Sequence, residues 1–202
     1  MPESNRPNNR LYLASQSPRR LELLRLIGFA PEMLQADVTV DETPLPNEAP
    51  ADYVLRLART KAQAGEATRI AHGLPPLPVL AADTTVSLDG RILEKPRDAD
   101  EARRWLAAYA ARGHQVYTGV TVVAHNRMTE ALSSSDVHFR ALSDDEIEAY
   151  LASDEPWDKA GGYGIQGRAA AFVAHLSGSH SGVMGLPLCE TAQLLREAGL
   201  RT

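Results

Sequence analysis

The stretch LYLASQSPRR, residues 11–20, decides how the chain begins to fold. Its apolar part, Leu11 to Ala14, predicts a short buried strand. Ser17 is a preferred helix N-cap residue, and Pro18 is favoured at the first helical position, so a helix is expected to start here. A strand that leads through a short polar loop into a helix within ten residues is typical of α/β proteins.

The rest of the chain continues this alternation. A 22-residue helix is expected over 50–71, and an apolar strand over 79–82 continues through 84–88 to a hairpin turn at Asp89-Gly90. Two long β runs, 115–124 and 128–139, and a strand over 170–176 follow. We therefore predict an α/β fold with a mixed sheet and flanking helices. Residues 1–10 are expected to be a flexible tail, and residues 11–202 a single domain with no internal boundary visible.

Composition excludes several classes of protein. The 202 residues are 44% apolar and 23% charged, as in an ordinary globular domain. A formal charge of -5 argues against a nucleic-acid binder or a protein of acidic membranes. The one cysteine, Cys189, permits no intrachain disulfide. No apolar window is long enough to span a membrane, and the polar segment over 1–10 does not resemble a signal peptide, so we expect a cytoplasmic protein.

Arg19 and Arg20 stand in the first turn of the first predicted helix. The positive end of the helix dipole repels cations there unless an anion lies between them. Arginine makes forked hydrogen bonds to phosphate oxygens, so one interpretation is a cradle for a polyphosphate. The other is a capped helix whose surface arginines pair with a carboxylate such as Glu22. Spacing alone leaves both open.

Asp83 ends the apolar strand over 79–82, and ligands bind at strand ends in open α/β sheets. A carboxylate there can hold Mg²⁺ or accept a proton from water; an Asx turn is the alternative. Glu42, in an acidic loop, is a candidate for a further metal carboxylate. Lys95, after a short strand, is a candidate for a phosphate contact. For both, a solvated surface side chain is the other interpretation.

A glycine-rich segment over 162–167 formally matches the dinucleotide fingerprint G-x-G-x-x-G. That fingerprint requires a preceding strand and a following helix, and neither is predicted here, so we reject it. The remaining interpretation is a loop whose glycines let the backbone approach a ligand. Gln166 carries both donors and an acceptor, which suits the reading of a base edge.

Several short fragments, taken in order, resemble the Maf family, also called septum formation proteins, which are house-cleaning nucleoside triphosphate pyrophosphatases. The resemblance runs from Leu11 to about Leu195. The fragments are LASQSPRR at 13–20, DET at 41–43, RLARTKA at 56–62, ADT at 82–84, LEKP at 93–96, SDEPWDKAGGYGIQG at 153–167 and GLP at 185–187.

The resemblance implies a long curved mixed sheet with two lobes around a cleft, as in the Maf and inosine triphosphate pyrophosphatase-like fold. It also implies a homodimer and a divalent cation, Mg²⁺ or Mn²⁺. The implied reaction converts a nucleoside triphosphate and water to the monophosphate and pyrophosphate. The roles it implies are Asp83 as proton acceptor and, with Glu42, metal ligand; Lys61 and Lys95 as catalytic lysines; and Ser15, Arg19 and Arg20 as phosphate-binding residues.

At the positions where the family's subgroups differ, Arg20, Thr84 and Gln166 resemble the subgroup that acts on dTTP and UTP. The resemblance implies a house-cleaning role, for which normal and modified pyrimidine nucleotides are both candidate cellular targets. The alternatives are the sister subgroup that acts on 7-methyl-GTP and a non-enzymatic regulator of septation. Trp157 and Arg168 have no role under any of these interpretations.

Overall fold

The computed structural model describes residues 8–202. Residues 1–7, and with them most of the predicted tail over 1–10, lie outside the described part. The remainder of that tail is hydrogen-bonded to the domain. The Arg201 amide donates to the Asn8 carbonyl at 2.9 Å, and the Asn9 side chain donates to the Gly28 carbonyl at 2.8 Å.

The architecture is a mixed sheet flanked by helices, which confirms the predicted α/β class. The sheet order is β2-β1-β3-β5-β6-β7, with β4 paired to β3. Strand β1 is parallel to both its neighbours, and the other pairs are antiparallel. The strands are β1 Arg10–Leu13, β2 Ala30–Met33, β3 Val79–Leu88, β4 Arg91–Leu93, β5 Gly113–Ala124, β6 Arg127–Phe139 and β7 Val173–Ser177. The helices are α1 Pro18–Leu26, α2 Pro50–Ala71, α3 Ala99–Tyr109, α4 Asp144–Leu151, α5 His180–Val183 and α6 Leu188–Glu197.

The C-terminal third differs most from expectation. The predicted strand over 170–176 is a 3₁₀ turn, Arg168–Phe172, followed by β7. The turn places the Phe172 ring edge-on against Phe139 and Tyr150 in the core. The short helix α5 is not predicted from the sequence; its start is capped by the Ser179 hydroxyl, which accepts a hydrogen bond from the Gly182 amide. Helices of four residues are too short to show a periodicity in sequence.

Two clusters of buried side chains lie along β3 and β5. One includes Leu80 and Ala82 of β3 and packs against β1 and α6. The other includes Val86 and packs against α3, α4 and the segment that holds Tyr163. Asp83 and Thr84 lie on β3 between the two clusters. A polar pair is therefore held in place from both sides by apolar packing.

Candidate active site

The edge of β3 is uncovered over a few residues, and the candidate site lies there. Strand β1 pairs with β3 only at Val79 and Leu80, and β4 pairs with it only from Val86 onward. Side chains from both faces of β3 can reach the same space across this gap. Asp83 therefore lies in the middle of a ten-residue strand, not at its end as the sequence indicated. The strand that does end here is β1.

A cavity of 980 Å³ occupies this gap. It is walled by the loop after β1, the start of α1, the acidic loop before α2, the middle of β3 and the glycine-rich loop. Every site residue expected from the sequence lines it: Ser15, Arg19, Arg20, Glu42, Lys61, Asp83, Thr84, Lys95 and Gln166.

Asp83 is buried and faces helix α2. The Lys61 Nζ donates to Asp83 Oδ1 at 2.6 Å, and the same nitrogen lies 2.6 Å from Glu42 Oε1. One ammonium group therefore bridges two carboxylates. Burial raises the pKa of Asp83, while the charges of Lys61 and Arg20 oppose that rise. The carboxylate is thus more basic than an exposed aspartate.

Tyr53, on the first turn of α2, supports the acidic loop. Its hydroxyl lies 2.9 Å from the Glu42 carbonyl and 3.4 Å from Glu94 Oε1. Burial and the charges of Asp83, Glu94 and Glu42 raise the pKa of Tyr53, so the phenol stays protonated. No sequence motif indicated Tyr53, because its role depends on a loop that folds back onto the helix.

Arg20 is bound on all three of its nitrogens by the protein. Nε donates to the Gly185 carbonyl at 2.8 Å, Nη1 to Ser15 Oγ at 3.3 Å and Nη2 to Thr84 Oγ1 at 3.2 Å. Desolvation lowers the pKa of Arg20 below its ordinary value, and the charge of the nearby Asp83 offsets only part of that fall. None of these bonds goes to Glu22, so for Arg20 the interpretation as a surface ion pair is wrong.

The start of α1 differs in one detail from the prediction. Ser17 occupies the N-cap position with an extended backbone, but its side chain caps no amide. The Ser15 hydroxyl instead accepts a hydrogen bond from the Ser17 amide at 3.1 Å. Arg19 lines the cavity beside this unpaired helix N-terminus, where donors and positive charge favour an anion.

Behind Thr84 lies a second threonine. Thr84 Oγ1 is 2.9 Å from Thr118 Oγ1 on β5, and Thr118 Oγ1 is 2.8 Å from the Gly182 carbonyl. Gly185, on the same segment as Gly182, has φ +116°, a backbone conformation that side chains rarely adopt. The sequence singled out neither Thr118 nor a role for Gly185.

The glycine-rich loop is held from behind by Glu155. The Arg168 amide donates to Glu155 Oε2 at 2.8 Å, and the Tyr150 hydroxyl lies 3.0 Å from Oε1. The Gly164 amide in turn donates to that hydroxyl at 3.3 Å. A Cβ at Gly167 would overlap the Glu155 carboxylate. The loop glycine therefore admits a carboxylate of the protein itself, where the sequence had suggested close approach to a ligand.

Trp157 and Arg168, to which the sequence assigned no role, have hydrogen-bond partners within the same segment. The Trp157 indole donates to the Ser153 carbonyl at 3.0 Å, and Arg168 contributes its backbone amide to Glu155. Both side chains are exposed. They help to shape the segment that carries Gln166.

The donor chemistry fits a hard divalent cation. Glu42 and Asp83 present oxygen ligands to one point, now taken by the Lys61 ammonium. Over residues 8–202 no group of three or more His, Cys, Asp or Glu side chains could hold a metal alone. Mg²⁺ is commonly bound by one or two carboxylates together with water and substrate phosphates, which this pair would allow.

Comparison with known proteins agrees with the resemblance seen in the sequence. A family model described as Maf-like protein matches residues 10–198. The dTTP/UTP pyrophosphatase of Ralstonia nicotianae is 56% identical over 199 residues, covering 96% of this chain and 96% of its own. The proteins of that name from Nitrosomonas europaea and Chromobacterium violaceum are each 53% identical, covering 95% of this chain and 96% of theirs. No helix within residues 8–202 is long and apolar enough to cross a membrane.

Proposed function

The chain belongs to the Maf family, and we propose that it hydrolyses dTTP and UTP to the nucleoside monophosphate and pyrophosphate. The family predicted from the sequence is thereby confirmed. The observation that supports the activity most strongly is the single cavity that collects a buried carboxylate, several cationic side chains and all three proposed specificity positions. The relatives named dTTP/UTP pyrophosphatase support the same substrates.

In the proposed reaction, water attacks the α-phosphorus of the bound triphosphate. Asp83 accepts the water proton, and the bond from the α-phosphorus to the bridging oxygen breaks, so that pyrophosphate leaves with the electron pair. Burial suits Asp83 to this role, because a raised pKa makes it a better base near neutral pH. Placement and charge neutralisation supply most of the acceleration in such reactions.

The cationic side chains neutralise the phosphates. We assign phosphate binding to Ser15, Arg19 and Arg20 and charge stabilisation to Lys61 and Lys95. Arg19 offers a whole guanidinium fork, whereas Arg20 has three of its N–H groups engaged with the protein. Arg19 is therefore assigned the larger share of phosphate binding, and Arg20 also contributes to base choice.

Glu42 and Asp83 would hold the divalent cation, Mg²⁺ or Mn²⁺. When bound, such an ion neutralises charge on the phosphate oxygens and orients them. Lys61, which bridges both carboxylates, would then shift its ammonium group towards the triphosphate.

We assign base choice to Arg20, Thr84 and Gln166. Modified pyrimidine nucleotides with the same pairing edge would also be accepted, which fits a house-cleaning role. We further propose that the protein acts in the cytoplasm as a homodimer, to be measured by sedimentation equilibrium.

The direct test replaces Asp83 by asparagine, which keeps the shape and removes the base. Loss of a general base lowers turnover by about 10²–10⁴-fold. Monophosphate and pyrophosphate are assayed with dTTP, UTP, CTP and 7-methyl-GTP and with each metal. Asp136→Asn, at an exposed position on β6 outside the cavity, is the matched control. Near-normal turnover of Asp83→Asn would remove Asp83 from the mechanism, and a preference for 7-methyl-GTP would point to the sister subgroup.

A further inference from the structure

We propose that Thr118, a buried residue outside the cavity wall, determines which pyrimidines the cavity accepts by fixing the direction of the Thr84 hydroxyl. The inference rests on the proposed pyrophosphatase function. It adds a positioning residue that acts through Thr84 and does not itself touch a ligand.

The direction of the Thr84 hydroxyl follows from the number of hydrogens that the two threonine hydroxyls can donate. Thr84 and Thr118 are directly opposite each other on β3 and β5. The Gly182 carbonyl can only accept, so the Thr118 hydroxyl donates its single hydrogen there, at 2.8 Å. Thr118 then has only lone pairs to offer Thr84, at 2.9 Å. The Thr84 hydroxyl must therefore donate to Thr118, and its hydrogen points away from the cavity.

The series of hydrogen bonds continues from Thr84 to Arg20. Arg20 Nη2 donates to Thr84 Oγ1 at 3.2 Å and uses one lone pair of that oxygen. The remaining lone pair is what Thr84 can present to a ligand. Both ends of this hydrogen-bond series are held by one segment of backbone, since the Gly182 carbonyl accepts from Thr118 and the Gly185 carbonyl accepts from Arg20, each at 2.8 Å. Thr84 therefore meets a ligand as an acceptor and not as a donor.

This polarity matches the pairing edge of uracil and thymine, in which a ring N–H donor lies between two carbonyl acceptors. The complementary edge is donor, acceptor, donor. Arg20, Thr84 and Gln166 all line the cavity, and we assign that edge to the remaining N–H groups of Arg20, the lone pair of Thr84 and the amide NH₂ of Gln166. Cytosine has a lone pair in place of the ring N–H, so two acceptors would face each other across Thr84.

The test is Thr118→Val, assayed by kcat/KM for UTP and CTP. We expect the wild type to prefer UTP by about 5- to 150-fold, the usual consequence of leaving a buried polar group unpaired. Valine cannot accept a hydrogen bond, so the Thr84 hydroxyl is released and can turn to donate to cytosine. The UTP preference should then fall by at least about fivefold. Thr118→Ser keeps the hydroxyl and should therefore show the wild-type preference for UTP.

Thr121→Val is the matched control. Thr121 is buried on the same strand, but its hydroxyl faces Glu130 on the other side of the sheet. It should leave the UTP preference unchanged, which separates hydroxyl polarity from a general loosening of β5. A folded Thr118→Val protein with the wild-type preference would overturn the proposal.

A nucleotide analogue tests the same polarity on the wild-type protein and does not depend on the folding of Thr118→Val. UTP methylated at N3 lacks the ring N–H and should be processed at least about fivefold less well than UTP. Equal processing of the two would show that no acceptor reads this position. Absence of pyrophosphate release from UTP itself would instead refute the proposed function.

Discussion

Glu155→Gln tests how the glycine-rich loop is held in place. The carboxylate accepts from the Arg168 amide at 2.8 Å, from the Tyr150 hydroxyl at 3.0 Å and from the Ala169 amide at 3.3 Å. An amide of the same shape has one acceptor oxygen, so its NH₂ group must face at least one of these donors. A partly buried donor that loses its acceptor costs about 1–3 kcal/mol. For a domain of this size the melting temperature should fall by about 2–12 °C.

The same change should affect nucleotide binding. Gln166 lies between Gly164, tied to the Tyr150 hydroxyl, and Arg168, tied to Glu155. Weakening either hydrogen bond lets Gln166 move relative to the base, so KM for UTP should rise more than kcat falls. Thermal unfolding and steady-state pyrophosphate release, measured on the same preparations, check both effects.

Two further variants make this test specific. Asp154→Asn removes an exposed neighbouring charge and should change neither quantity. Tyr150→Phe removes the hydroxyl that joins Glu155 to Gly164, so its effect should not add to that of Glu155→Gln. An unchanged melting temperature and KM in Glu155→Gln, or strict additivity with Tyr150→Phe, would refute the reasoning.

Arg20→Lys should lower the melting temperature and turnover, because one ammonium cannot replace a guanidinium bound to Gly185, Ser15 and Thr84; an unchanged melting temperature would contradict this. Arg19→Lys should lower turnover alone, since its fork is assigned to phosphate, and normal turnover would remove that assignment. Burial lowers the pKa of His114 from 6.5 to about 3, so the unfolded state takes up a proton that the folded state does not. Stability is therefore lost as the pH falls from 6.5 towards 3, and His114→Phe should show a shallower loss in urea titrations over that window.

Local features were predictable where local chemistry controls them. Helix α2 has the bounds expected from its sequence, Pro50–Ala71, and the hairpin turn at Asp89 and Gly90 shows the positive φ values that such turns require. The family fragments also identified residues that line one cavity. These signals depend on residue type and short spacing, both of which are visible in a single chain.

Other features depend on which strands become neighbours. Asp83 was expected at a strand end, but the gap in the sheet arises because β1 ends early beside β3. Thr118 acquires its role only through the register of β5 against β3, and Gly185 through a contact with a residue 165 positions earlier. No periodicity or capping rule carries such information, so the mid-strand place of Asp83 and the roles of Thr118 and Gly185 could be found only in three dimensions.

The contact between Arg20 and Gly185 has a consequence for synthesis and folding. Leu11 and Leu13 share their core with Leu194 and Leu195 of the last helix. A chain emerging from the ribosome can form α1, α2 and the central hairpin early, but the core around β1 stays incomplete until Leu194 and Leu195 of α6 have been made. Contacts of such long sequence separation slow folding, and exposed apolar segments favour association with other chains. Nucleotide binding would therefore require that Gly185 and α6 have been made, and removal of α6 should yield an aggregation-prone protein.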